Sequence, residues 1–185
     1  MPKGREERAP RKMKRAFLVF CEGRTEECYV QELRRRYRAP IRIVAIRQGQ
    51  DISDETVRRE TEREKISPED RVEAFLMYDR DVPEVNARLE SCAGTKICSN
   101  PCVELWFLLH LRNWRSSLDS EECVKTLRAE KGWNGYRKGD LSEPQRTLLW
   151  EKRDVAAQRA KALDEKRNPS TGVYKLLESI ERSLT

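Results

Sequence analysis

The chain has 185 residues, with 38 Lys and Arg against 32 Asp and Glu, a single His and a net charge of +6. Charged residues make up 38% of it, well above the roughly 25% of ordinary soluble domains, which points to long, solvated amphipathic helices around a modest core. No apolar run approaches the roughly 18 residues of a membrane span, so no span is expected; the start leads into charge rather than an apolar segment, so no secretion signal is visible and a cytoplasmic protein is expected. The six cysteines lack the CxxC pairs of a zinc site; Cys21, Cys98 and Cys102 sit in or beside apolar runs and read as reduced, small hydrophobes.

Residues 1–14 are nearly all polar and carry Lys3, Arg5, Arg8, Arg11, Lys12 and Lys14, the pattern of a disordered basic arm. Ala16 to Cys21 reads as a strand. Thr25 is placed to cap a following helix, with Glu26 and Glu27 in its first turn, where the helix dipole favours them. Arg34, Arg35, Arg36 and Arg38 crowd the other end, and Pro40 stops it. Ile41 to Ile46 is a second strand, and Ser53 caps a very polar helix reaching about Lys65. Val72 to Tyr78 is the third strand, Pro83 opens the next helix, and Lys96-Ile97-Cys98 is a short fourth strand. Such a β-α-β-α-β-α-β series implies parallel strands joined by crossover helices. Asn100-Pro101 then opens the most apolar helix, through Leu111. Polar helices are expected near 119–131, 143–166 and 170–184. The units are therefore a basic arm over 1–14, an α/β domain over 15–112 and a helical extension of the same unit over 113–185.

Two strands end in acid: Cys21-Glu22-Gly23-Arg24-Thr25-Glu26 follows the first, and Tyr78-Asp79-Arg80-Asp81 follows the third. Ligands of open α/β sheets bind beyond the C-terminal strand ends. With the first and third strands as neighbours, Glu22, Asp79 and Asp81 converge there. Two unscreened carboxylates about 5 Å apart repel by roughly 3 kcal/mol at an effective dielectric near 20, and a cation offsets that. An all-oxygen site suits Mg²⁺ or Mn²⁺, ions that polarise a phosphate and activate a water for phosphodiester cleavage. The plainer alternative makes Glu22 a turn residue and Asp81 a helix cap.

Glu104 stands out as a carboxylate in an apolar helix, costly unless paired or metal-bound. It reads as a further ligand or as half of a salt bridge. His110 is either a general base or a satisfied core residue. Lys96 is placed to stabilise transition-state charge. Ser99-Asn100-Pro101 and Asn168-Pro169-Ser170-Thr171 read as two helix starts, whose bare N–H groups suit phosphate or ordinary capping. Lys12, Lys14, Arg15, Arg24, Asn100, Ser170 and Thr171 are the candidate nucleic-acid contacts.

Taken together these segments resemble the Toprim domain and, more closely, the RloB-like family. The likeness rests on the two acidic motifs with Tyr29, on Ser99-Asn100-Pro101-Cys102-Val103-Glu104-Leu105-Trp106-Phe107-Leu108-Leu109-His110, and on Asn168-Pro169-Ser170-Thr171. It implies a Toprim-like parallel sheet of about four strands flanked by helices, with a helical C-terminal annex. It further implies metal ligands at Glu22, Asp79 and Asp81, and a Mg²⁺- or Mn²⁺-dependent nuclease of restriction-linked or abortive phage-resistance loci. Its partners would be DNA or RNA and another defence-system protein. Many Toprim proteins follow D-x-D with glycine, whereas Val82-Pro83 stands here. The rival reading is a non-catalytic module that binds nucleic acid, nucleotide or a partner through the same crevice.

Overall fold

The computed structural model describes residues 15–37, 41–64, 66 and 71–184; the basic arm, with Lys12 and Lys14, lies outside them. Strand β1 (Arg15–Cys21) is followed by helix α1 (Arg24–Arg36), β2 (Arg42–Arg47), α2 (Asp54–Arg63), β3 (Arg71–Met77), α3 (Pro83–Ser91) and β4 (Thr95–Lys96). The four strands form one parallel sheet in the order β2-β1-β3-β4. This is the expected α/β architecture. β1 is central, and Ala16 to Cys21 are all buried. Its alternating side chains feed two layers, as the pleat requires. Phe17, Val19 and Cys21 join one core with Tyr29, Val30 and Leu33 of α1. Leu18 and Phe20 join the other with Val57 of α2 and with Val85 and Leu89 of α3.

The polypeptide then makes a second, two-stranded antiparallel sheet from β5 (Ser99–Asn100) and β6 (Ser170–Thr171). These are the two segments expected to open helices. They pair with each other instead, because each short polar stretch meets a matching backbone ladder, and the Ser99 and Thr171 hydroxyls bond at 2.9 Å across it. The helices begin later, α4 at Glu104–Leu111 and α8 at Tyr174–Arg182. Between them lie α5 (Ser120–Ala129), α6 (Glu143–Glu151) and α7 (Arg153–Lys161). The single helix expected over 143–166 is thus two, parted at Lys152, whose backbone leaves the helical region at φ −102° and ψ 12°.

Helix α4 is wrapped on every side. Leu105, Trp106, Phe107, Leu108 and Leu109 are all fully buried and share one core with β1, β3, α1 and the helices α5 to α8. The C-terminal helices therefore complete the main core. All six cysteines are free thiols, five of them buried. Among the described residues no helix is long and apolar enough to cross a membrane.

Candidate metal centre

Parallel register sets Cys21 beside Met77, so the residues after β1 and β3 leave the sheet side by side. Glu22 bridges the two strand ends. Its N–H donates to Met77 O at 3.1 Å, its Oε2 accepts the Asp79 N–H at 3.0 Å, and its Oε1 accepts Gln50 Nε2 at 3.1 Å. Each carboxylate oxygen of Glu22 thus takes an N–H donor, which fixes the side chain across the strand ends.

Helix α1 starts earlier than the sequence suggests, at Arg24. Gly23 is its N-cap, and Glu26 at N3 reaches back to accept the Gly23 N–H at 3.0 Å, one arm of a capping box. Thr25 is not the cap. Its hydroxyl accepts the Gly139 N–H at 2.9 Å, while the Cys28 thiol donates to Gly139 O. The turn carrying Lys138 is thereby clamped over the start of α1. Gly139 has φ +76°, and a Cβ there would lie 2.8 Å from Arg24 Cγ. Gly139→Ala should therefore cost about 1–3 kcal/mol through left-handed strain alone; a melting curve checks this, and an unchanged midpoint would contradict the clamp.

The crevice so formed holds about 260 Å³ and is lined by Glu22, Arg24, Thr25, Glu26, Asp79, Lys138 and the two glycines. Asp79 Oδ1 is sealed from solvent without a hydrogen-bond partner. Burial, then the charges of Glu26, Glu104, Glu22 and Asp81, push its carboxyl well above the usual range. Burial also lifts Glu26 to about 7, with Glu104 and Glu22 adding to it. Glu104 is fully buried. Its Oε1 accepts the Tyr136 hydroxyl at 2.8 Å, while its Oε2 has no hydrogen bond and faces Lys138 Nζ at 3.7 Å. Burial pulls the Lys138 ammonium down, but Glu104 and the other acids outweigh it and hold it above its ordinary value.

The acids grouped at the crevice are thus Glu22, Glu26 and Asp79, with Glu104 buried behind them and Lys138 as the nearby cation; the charge of Asp81 reaches Asp79 from outside this group. Glu26 escaped the sequence reading because a first-turn glutamate is already explained by the helix dipole. Lys138 left no sequence signal, lying in a turn far along the chain. Asp81 departs from the expected convergence. It is exposed, lines no part of the crevice, and its Oδ2 accepts the Ser120 hydroxyl at 3.2 Å.

Other expected site residues lie elsewhere. Lys96 donates to Cys92 O at 2.8 Å and faces a separate small hollow with Arg80, Ser170, Thr171 and Lys175. His110 is fully buried. Its Nδ1 sits 2.7 Å from Trp106 O; a carbonyl only accepts, so Nδ1 carries the proton. Nε2 makes no hydrogen bond of good geometry and is sealed in the core, out of reach of any phosphate, and burial lowers the ring to about 4 against the opposing pull of the Trp106 and Leu149 backbone. Arg15 opens β1 and pairs with Glu73 at 3.3 Å, about 20 Å of strand away from Glu22 by the usual rise per residue. Asn100, Ser170 and Thr171 form the small sheet, and Ser170 and Thr171 are buried. Of the expected nucleic-acid contacts among the described residues, Arg24 alone lines the crevice.

Among the described residues no three His, Cys, Asp or Glu side chains stand as a ready-made metal cage. The donor set still fits a hard divalent ion. Mg²⁺ takes one or two protein carboxylates and keeps several waters, and two buried carboxylate oxygens here, Asp79 Oδ1 and Glu104 Oε2, lack any hydrogen bond.

A family model described as RloB-like protein matches residues 17–180. No curated protein and no solved structure matches the chain.

Proposed function

The chain belongs to the RloB-like family, and on that footing we propose that it is a Mg²⁺- or Mn²⁺-dependent phosphodiesterase acting on nucleic acid in defence against foreign DNA. The observation that carries the reading is the buried, unpartnered Asp79 Oδ1 within a group of carboxylates whose charges, with burial, raise the proton affinity of Asp79 and Glu26. Such a group is costly to the folded protein unless a cation or a proton offsets it. A site that stores that cost suggests function rather than packing.

Glu22 and Asp79 would hold the ion, with Glu104 as a further oxygen donor. When bound, the ion supplies polarisation of a phosphodiester and of the attacking water. Gln50 and the Asp79 N–H hold Glu22 in place, and Tyr136 orients Glu104. Lys138 is aimed into the crevice from the clamped turn and would neutralise charge building on the phosphate, the role the sequence suggested for Lys96. Glu26, with a pKa of about 7, is suited to exchange a proton near neutral pH.

The test is cleavage of labelled DNA and RNA strands with Mn²⁺. Glu22→Gln should lose at least 100-fold in cleavage and keep its nucleic-acid binding, because metal chemistry and surface charge are separate. A native protein that binds but cuts neither DNA nor RNA would favour the binding module. The Lys138–Glu104 ion pair at 3.7 Å, which already offsets one acid, is the observation on that side.

A further inference from the structure

A second cavity opens beside the acidic crevice. It holds about 460 Å³ and is lined by Ser120, Glu121, Val124, Lys125, Arg128 and Lys138. The first five fall at i, i+1, i+4, i+5 and i+8 along α5, so they share one helix face. Val124 is buried at its floor, and Lys125 and Arg128 are exposed on its wall. Lys138 borders both cavities. At the head of α5, Ser120 donates to Asp81 just beyond β3. Farther along, Arg128 Nε donates to Tyr136 O at 3.0 Å, and Tyr136 in turn holds Glu104. Groove and crevice are thus braced as one unit. Three cations and one acid, Glu121, line the groove, Lys138 also pairing with Glu104 at 3.7 Å, whereas the crevice beside it is acidic.

We propose that this groove is the track on which the backbone of a single nucleic-acid strand lies as it enters the crevice, with Lys125, Arg128 and Lys138 contacting successive phosphates. The inference rests on the phosphodiesterase reading. An acidic crevice repels a polyanion, so a phosphate reaches it only if neighbouring phosphates are held by cations close by. The groove supplies those cations at the crevice edge, and Val124 offers an apolar floor to a sugar or base. Its volume is that of a pocket for a small molecule, the scale of a nucleotide or two of one strand.

The experiment measures binding of a labelled single-stranded oligonucleotide to the full chain in EDTA, at several salt concentrations. Lys125→Glu should weaken binding at least ten-fold and flatten the log-affinity against log-salt slope by about 0.7 for each phosphate no longer held. Lys125→Gln should fall between it and the native protein. Arg58→Glu makes the same charge change at an exposed position on α2 that borders neither cavity, and should stay within two-fold of native. Equal losses in Lys125→Glu and Arg58→Glu would overturn the track, as would no binding by the native protein or tighter binding of a duplex of equal length. Cleavage with Mn²⁺ separates the two readings. Native cleavage with no role for Lys125 in binding removes the track and leaves the phosphodiesterase. Lys125-dependent binding with no cleavage leaves the track and removes the enzyme.

Discussion

Glu26→Gln should make the metal-free protein more stable at pH 8 by about 3 kcal/mol relative to its effect at pH 4. In the folded chain the Glu26 carboxyl is lifted from 4.5 to about 7, chiefly by burial. Between those values the folded state binds the proton and the unfolded chain does not. The native protein therefore carries its full Glu26 contribution below pH 4.5 and loses it as pH rises through 7. Glutamine cannot ionise, and its amide oxygen still accepts the Gly23 N–H that Glu26 accepts at 3.0 Å. Urea melts in EDTA at pH 4, 6 and 8 would show the gap between variant and native opening with pH. A gap that does not change would mean that Glu26 is solvated and lies outside the acid group.

His110→Phe should reverse the pH trend. The ring is held at about 4 instead of 6.5 by burial, so between these values the unfolded chain binds the proton and the folded chain does not. Stability from this group is present above 6.5 and is lost as pH falls toward 4, by about 2 kcal/mol at pH 5. Phenylalanine keeps an aromatic ring edge-on to Trp106, whose ring centroid lies 4.7 Å from that of His110, and removes the titration. Below pH 6.5 the variant should lose less stability than the native protein. Glu26 works in the opposite direction over the same window, so each trend is read as native minus variant. Parallel curves for native protein and His110→Phe would place His110 in contact with water, and would reopen it as a base.

The fold was legible because its signals are periodic and local. Four short apolar runs separated by polar helices dictate parallel strands, and the burial of β1 from Ala16 to Cys21 follows from an unbroken apolar run. The meeting of Glu22 with Asp79 was legible too, since both follow strands that pair in register. What the sequence concealed depends on contacts made across the chain. Asp81 lies two residues from Asp79, yet the backbone turns it outward to Ser120, a partner 39 positions away. Lys138 reaches Glu104 only because Thr25 and Cys28 clamp a distant glycine turn. The short β5–β6 pairing hides for the same reason: two residues per strand carry no period, and Asn-Pro reads equally well as a helix start. Glu104 drew attention in the sequence because an acid within an apolar helix demands a partner. Tyr136 and Lys138 are the partners it finds.

The central claim is that the crevice beyond β1 and β3 takes a divalent cation. Titration of Mn²⁺ into metal-free protein at pH 8, followed by the loss of the free-ion electron paramagnetic resonance signal, tests it most directly. Native protein should deplete the free-ion signal and its melting temperature should rise with Mn²⁺ concentration, while Asp79→Asn combined with Glu104→Gln should do neither. Equal depletion by the native protein and a folded double variant would contradict the claim.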